Sequence, residues 1–547
     1  MERVKETWRQ VDNDKWSIAV LDFETDPFEY DKKPDPFACG LYTGASFLYF
    51  WGDDCAQQAM DHVATLPGKF VIYAHNGGKF DFYFLLKWIK GKVRIVNGRI
   101  LQCQIGKHEL RDSWAILPFP LREYEKDKID YEKFKRDKRD ANREEIIAYL
   151  KGDCVYLYDL VWQFMVRFGE SLTIGAMSMR KLSERHPFER LKQEQDEFLR
   201  PFNFGGRTQC FKTGIIRGDY KVYDVNAMYP FVMANVKHPI SNQYHVGDKI
   251  TADTCFVRFI GKNDGAIPFR GENGLDFTKE YGDFHATIHE IEAAQDLGLL
   301  RIDKIIYTVD FYERSDFKEY IDEFHALRRE AQATDDKAGN LLYKFLLNSS
   351  YGKFSQNPEN HWEYEISEHE LEPPWELAET HGPYLLYKKP PKVKRYFNVA
   401  TGASITGAAR SLLLRGIAGA TVPLYCDTDS LICADLDAVI DARRLGAWKL
   451  EASGNCVAIA GKKMYAVFAV DQYAADYAMS VKKKLAEIPL VPRYGYCIKQ
   501  ASKGVRLTPK QIVQVATGET VEHFNPVPKF RRDGGATFLK RRIKMTA

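Results

Sequence analysis

What the 547-residue sequence lacks narrows its class before any motif is read. No apolar run approaches the roughly 18 residues needed to cross a bilayer, so a helical membrane span is excluded. None of the ten cysteines forms a Cys-x-x-Cys pair, and neither a zinc cluster nor a disulfide framework is indicated. No internal repeat or low-complexity tract is present, which argues against a solenoid or a disordered array. The excess of positive charge is only +3, weaker than a protein that simply coats nucleic acid would carry. The charged start Met1 to Glu6 does not resemble a signal peptide, and the expected location is a cytosol.

What is present is acid in two places. The segment Tyr425-Cys426-Asp427-Thr428-Asp429-Ser430 follows the apolar stretch Thr421 to Leu424. If a strand runs through it, Asp427 and Asp429 share one face and can grip divalent ions. Asp224 ends a second short apolar strand in Tyr223-Asp224-Val225-Asn226-Ala227-Met228-Tyr229-Pro230. Between the two lies Lys344-Phe345-Leu346-Leu347-Asn348-Ser349-Ser350-Tyr351-Gly352. An isolated Asp-x-Asp is more often a polar turn, and an isolated apolar helix is more often core; the three segments together suit nucleotidyl transfer. That reaction needs one metal to activate a 3'-hydroxyl and another to hold the triphosphate, roughly 4 Å apart. Asp224 and Asp427 are assigned as bridging ligands, Asp429 supports them, and the backbone carbonyl of Val225 completes the set. The run from Asn340 to Asn348 reads as a helix that puts Lys344, Asn348 and Tyr351 on one face. Lys344 would meet the triphosphate, while Asn348 and Tyr351 would border base and sugar. Arg328, in a helix upstream, is a further triphosphate contact, with a solvent-exposed helical pair as the equal alternative. Tyr229, held by the following proline, is suited to lie under the sugar and exclude a 2'-hydroxyl.

The N-terminal part carries its own acids. Ile18 to Thr25 reads as an apolar strand ending in Asp-x-Glu, with Asp22 and Glu24 on one face. Tyr73-Ala74-His75-Asn76-Gly77-Gly78-Lys79-Phe80-Asp81 reads as strand, glycine turn and helix start, presenting Asp81 to the same point. Tyr149 and Asp153 fall one turn apart in the amphipathic stretch Glu144 to Gln163. Four converging carboxylates suggest two metals that cut a phosphodiester with activated water, which Tyr149 would orient.

The motifs Asp-x-x-Ala-Met-Tyr-Pro, Lys-x-x-x-Asn-Ser-x-Tyr-Gly and Tyr-Cys-Asp-Thr-Asp-Ser resemble motifs A, B and C of family B DNA polymerases. Lys463-Met464-Tyr465 resembles that family's Lys-x-Tyr element, implying that Lys463 and Tyr465 contact the primer strand. Tyr-Gly-Lys-Phe at Tyr351 to Phe354, the length and the motif order resemble the protein-primed branch, and the wording of several segments is most similar to the tectivirus-type phage polymerases. Motif A departs from the usual serine-leucine pair by having Ala227 and Met228. The N-terminal segments resemble the Exo I, Exo II and Exo III motifs of a 3'-5' proofreading exonuclease, which implies Asp22, Glu24, Asp81 and Asp153 as metal ligands. It also implies that Asn76 and Phe80 steer single-stranded DNA, and that Ser113 binds it, although Trp114 replaces the usual leucine. Lys126 matches the branch's catalytic lysine, with Lys128 as the rival. Phe204-Gly205-Gly206 resembles the linker that contacts template.

The resemblance implies an α/β and α+β multidomain chain: an RNase-H-like exonuclease domain over 1–165, then a right-hand polymerase over 166–547. Within the latter the expected parts are palm with motif A (166–241), a first insertion of terminal-protein-binding type (242–315), and fingers with motif B (316–356). A second insertion of strand-displacement type (357–396), palm with motif C and Lys-x-Tyr (397–470) and thumb (471–547) follow. The basic stretch Lys529 to Lys544 is a candidate for phosphate contact in the thumb, its last residues a frayed tail as readily. The implied cofactor is Mg2+, two ions per active site, with Mn2+ as a substitute. Implied partners are primer-template and single-stranded 3' ends of DNA, deoxynucleotides, a terminal priming protein and a single-stranded-DNA-binding protein. A monomer or a heterodimer with the terminal protein, in a host bacterial cytoplasm and off the membrane, is the expected state. A nucleic-acid-primed or primer-independent relative would contain the same metal motifs. A nuclease or a DNA-binding scaffold without polymerase activity is the competitor of another class.

Overall fold

The structure, a computed structural model, describes residues 17–27, 34–125, 127–272, 274–391, 395–481, 483–502, 504–524, 529–530, 536–537 and 540–545. Lys126 and much of the basic stretch Lys529 to Lys544, both singled out from the sequence, lie outside them.

The N-terminal part is built on a sheet whose strands are β1 (Ser17–Thr25), β2 (Pro36–Tyr42), β3 (Phe47–Trp51), β4 (Phe70–Ala74), β5 (Gly91–Val96), β6 (Arg99–Ile105) and β7 (His108–Asp112). Their spatial order is β5-β6-β7-β4-β1-β2-β3. β1 pairs parallel with β4 and antiparallel with β2, so it is central and buried on both faces, which is why it reads as a nearly unbroken apolar run. One face is covered by the long helix Arg143–Phe168, whose Leu150 and Cys154 pack with Val20 and Phe37. The helix Cys55–Thr65 covers the other, setting Met60 and Val63 against Ala19 and Leu21.

This sheet does not end with its own domain. Glu363–Ser367 pairs antiparallel with β5, placing Tyr364 opposite Val93, and Tyr384–Lys389 and Glu376–His381 follow outward. The result is one ten-stranded sheet, whose last three strands come from the segment expected as the second insertion.

An eight-stranded antiparallel sheet forms the centre of the C-terminal part. Its order is Leu490–Val491, Gly495–Ser502, Met464–Ala469, Trp448–Gly461, Gly214–Val225, Ser430–Cys433, Tyr425–Asp427 and Thr208–Cys210. Against it lie the helices Met228–Asn235 and Val399–Ala418. A helical hairpin, Lys318–Ala333 and Lys337–Phe354, packs alongside; Asp336 caps its second helix by accepting from the Gly339 amide at 2.9 Å. Between motifs A and B a four-stranded sheet (His245–Gly247, Leu300–Asp310, Thr254–Asn263, Tyr281–Thr287) carries the helix Ile288–Asp296, which starts in a Thr287–Glu290 capping box. The three sheets and the helical hairpin thus form the mixed α/β, multidomain architecture implied by the motifs.

Two local expectations change. Asp224 belongs to a strand of 12 residues rather than a short one. Asp427 and Asp429 do not alternate along one strand: Asp427 ends Tyr425–Asp427, and Asp429 sits in the turn that leads to Ser430–Cys433. Thr428, at φ 62°, is the centre of this turn, and the Asp429 amide donates to the Asp427 carbonyl at 2.7 Å, the i to i+2 bond of a γ-turn. The segment is too short on either side of the turn for a two-residue periodicity to govern it.

Candidate functional site

The C-terminal acids meet at the end of the central sheet. The strand register sets Ser430 opposite Asp224, and the Val225 amide donates to the Asp429 carbonyl at 2.8 Å, so motifs A and C are stapled through their backbones. Val225 itself is buried. Burial and the neighbouring charge of Asp224 push the Asp429 carboxyl up to about 7. Burial likewise raises Asp224, against the pull of Lys449.

Lysines occupy this centre. Lys449 Nζ lies 3.1 Å from Asp224 Oδ2 and 3.0 Å from Glu451, and Lys499 pairs with the same Glu451. Lys463 pairs with Asp427, which also accepts from Thr208 Oγ1 at 2.8 Å. The Lys463 amide donates to the Tyr425 hydroxyl at 2.8 Å, fixing the Lys-x-Tyr turn above motif C. Tyr465 is buried beneath, its ring 5.0 Å from that of Tyr425. Lys449, Glu451 and Lys499 were not singled out by motif. The signal that finds them is register: Lys449 is the direct cross-strand partner of Asp224.

Helix Lys337–Phe354 carries Lys344, Asn348 and Tyr351 as expected, with Asn348 exposed. Tyr351 stacks on Tyr229 with ring centroids 3.9 Å apart and planes within 3°, worth about 1 kcal/mol beyond burial. Burial raises both phenols, and Asp429 is close enough to raise them further. The stack thus ties the motif B helix to motif A beside the acids. Lys344 forms no ion pair among the described residues, while the adjacent Phe345 stacks on Phe119 of the N-terminal part at 5.2 Å. Arg328 donates to Asn340 Oδ1 at 3.1 Å, spanning the two helices of the hairpin. Of the linker, Phe204 is buried and Gly205 exposed; Gly206 runs so near the motif C turn that an added Cβ would lie 2.9 Å from Thr428 Cγ2.

In the N-terminal part, Asp22, Glu24 and Asp153 each bring a carboxylate oxygen within 4.8 Å of the others. Three hard oxygen donors of this kind fit a small divalent cation such as Mg2+ or Mn2+. No comparable triple forms at the C-terminal acids among the described residues. Asp81 differs from the expectation of a fourth ligand in the same group. It is buried and accepts from the Phe23 amide, between Asp22 and Glu24 in sequence, at 3.2 Å, and burial pushes its carboxyl up to about 7. Tyr149 is buried beside the cluster, its hydroxyl 3.2 Å from that of Tyr131, with burial and Asp153 holding its proton firmly.

The expected single-strand contacts divide. Asn76 adopts φ 63° at the turn and is half-buried, as is Phe80, which packs edge-on to Phe84. Ser113 is fully buried, its hydroxyl 3.0 Å from His75 Nδ1 and donating to the Ala74 carbonyl at 3.3 Å. Its hydroxyl is therefore engaged with His75 and Ala74 within the fold. Trp114, beside it, is half-buried between His75 at 5.4 Å and the Arg99 guanidinium at 5.4 Å. Lys128 is exposed.

A family model described as DNA polymerase type B, organellar and viral, matches residues 121–381. The chain is 46% identical over 551 residues to the DNA-directed DNA polymerase of Enterobacteria phage PRD1, covering 97% of this chain and 98% of that protein. It is 24% identical over 454 residues to the DNA polymerase of Bacillus phage phi29, covering 70% and 75%. Among solved structures, phi29 DNA polymerase complexed with primer-template DNA superposes with a TM-score of 0.73 at 19% identity, over 97% of this chain and all of that one. The same polymerase complexed with single-stranded DNA gives 0.71, likewise at 19% identity over 97% of this chain and 100% of that one.

Proposed function

Since this chain belongs to the organellar and viral type B DNA polymerases and is a DNA-directed DNA polymerase, we propose that it replicates a linear phage or mobile-element genome by protein-primed initiation with strand displacement, and proofreads with a 3'-5' exonuclease. The observation that carries the proposal is the presence of two separate acidic centres on one chain, each built against its own sheet. At the C-terminal centre Asp224 and Asp427 would hold divalent metal, Mg2+ by the hardness of the donors, with Asp429 in support. Metal bound there would lower the pKa of the primer hydroxyl and neutralise the triphosphate. Lys344 and Arg328 would meet the triphosphate, Asn348 and Tyr351 would border the nucleotide, and Tyr229 would exclude a 2'-hydroxyl. Lys463 and the Phe204–Gly206 linker would hold primer and template.

At the N-terminal centre Asp22, Glu24 and Asp153 would hold metal, with Asp81 buried close by, and Tyr149 would orient the attacking water. Asn76, Phe80 and the Ser113 segment would guide the 3' end. The phi29 enzyme is described with primer-template, nucleotides and single-stranded DNA, and these are the partners proposed here. A terminal protein would bind the first insertion, with a single-stranded-DNA-binding protein covering the displaced strand. The enzyme would act in the host cell as a monomer or a heterodimer with the terminal protein; no helix among the described residues is long and apolar enough to cross a membrane.

Extension of a labelled primer-template tests the two-centre assignment. Asp427→Ala is expected to lose extension by at least about 10²–10³-fold while keeping 3'-end degradation, and Asp22→Ala with Glu24→Ala to do the opposite. Loss of both activities in either variant would overturn the division of labour.

A further inference from the structure

The first insertion turns a charged face toward the linker. A cleft of about 310 Å3 is lined by Phe204 of the linker and by Phe269, Arg270, Lys279, Asp283 and His285 of the insertion. Its cations are presented on aromatic faces: Arg270 lies 4.6 Å over the Phe204 ring, and Lys279 lies 3.7 Å over Phe269. The one acid of the cleft, Asp283, is taken by Arg258, which donates to it at 2.7 Å. Arg270 donates to the Asn203 carbonyl, and neither it nor Lys279 pairs with a carboxylate among the described residues.

Positive charge accumulates around this point. Arg200 and Arg410 are near enough to act on Arg270, and each already has its acid, Asp196 and Glu290. Arg410 Nη2 and Arg207 Nη1 are buried and make no hydrogen bond within the protein. Arg207 lies 4.2 Å over Phe277, the residue that follows the insertion's hairpin Phe269–Gly271/Gly274–Asp276. That hairpin is pinned at two points. Arg270 reaches the linker, and the Leu275 carbonyl accepts from Lys462, next to Lys463, at 3.4 Å. It therefore bridges the two elements proposed to hold DNA.

We propose that Arg270 and Lys279 form a phosphate subsite that grips the DNA backbone and carries the linker's DNA surface into the first insertion. The proposal rests on the reading of the linker and Lys463 as DNA contacts. Guanidinium and ammonium groups without carboxylate partners, held in place by rings, are suited to phosphate oxygens, and Arg270 is exposed to receive them.

The test is the salt dependence of primer-template binding by the full chain, measured by fluorescence anisotropy without divalent metal between about 50 and 200 mM salt. Each phosphate contact contributes about 0.9 to the slope of log K against log salt. Arg270→Gln with Lys279→Gln is expected to lower the slope by about 1.8, and Arg270→Lys with Lys279→Arg to restore most of it. An unchanged slope in the double glutamine variant, with wild-type binding intact, would overturn the subsite alone. A wild-type chain that does not bind primer-template would overturn the linker reading together with it.

Discussion

The two acidic centres of this chain handle crowded carboxylates in opposite ways. In the N-terminal part the acids face one another: Asp22, Glu24 and Asp153 bring oxygens together on a central strand and a covering helix, with Asp81 buried at the Phe23 amide. In the C-terminal part each principal acid has an ammonium group, Lys449 on Asp224 and Lys463 on Asp427. The first arrangement is a donor set shaped for a divalent ion; the second is a lattice of ion pairs that an arriving ion must rearrange. Burial raises a carboxyl group in each, Asp81 in the first and Asp429 in the second, where the charge of Asp224 adds to it. Metal binding at the C-terminal centre should therefore be coupled to movement of Lys449 and Lys463.

This contrast can be broken first at a glycine. A Cβ on Gly78 would lie 1.9 Å from the Ile100 carbonyl oxygen, and backbone on both sides cannot yield without moving the turn that presents Asp81. Gly78→Ala is expected to cut 3'-end degradation by about 10²-fold, the cost of displacing a catalytic group by an ångström, and to leave extension near wild type. Equal losses in both assays would mean that the turn supports the whole chain rather than one centre.

A substitution at Lys449 sharpens the contrast. Lys449→Met removes the ammonium from Asp224 and Glu451, and the affinity of the C-terminal centre for Mn2+, read by electron paramagnetic resonance, is expected to rise by about fivefold, the worth of one partly exposed ion pair. The N-terminal centre should be unaffected. Weaker Mn2+ binding would show instead that the lysine orients Asp224 for the ion.

The smallest effect is expected at Gly206. Its added Cβ would meet only the Thr428 side chain, at 2.9 to 3.2 Å, and a side chain can turn aside where a backbone carbonyl cannot. Gly206→Ala should slow extension by less than tenfold, an overpacking cost of about 1 kcal/mol, measurable in single-turnover incorporation.

The two regions also differ in how far the sequence disclosed them. Asp22 and Glu24 lie in a buried run, and Asp153 lies one turn from Tyr149 in a helix that spans Arg143–Phe168; local periodicity was sufficient for both. The motif B helix was legible for the same reason, since Lys344, Asn348 and Tyr351 recur at helical spacing. The Asp427–Asp429 turn was not, because strands of three and four residues carry too few alternations to mark where they stop. Lys449 escaped because nothing local sets it apart: its partnership with Asp224 arises from register across two strands more than 200 residues apart in sequence. Ser113 stood in a recognisable element, but its burial under His75 depends on how β4 and β7 pair, which no single segment specifies. Pairing of Glu363–Ser367 with β5 is the extreme case, a contact between segments separated by about half of the chain.

That last pairing bears on whether the chain can be divided. After the motif B helix the backbone crosses to the N-terminal sheet, adds three strands to its edge, and only then returns to the helix that begins at Val399. The two halves are accordingly not beads on a string. A fragment beginning after residue 165 would retain Tyr364 to Ile366 with the partner strand β5 gone, leaving an unpaired, half-apolar edge open to other chains. A cut at one boundary would therefore not separate the two halves cleanly, because the N-terminal sheet closes with strands that lie beyond the motif B helix.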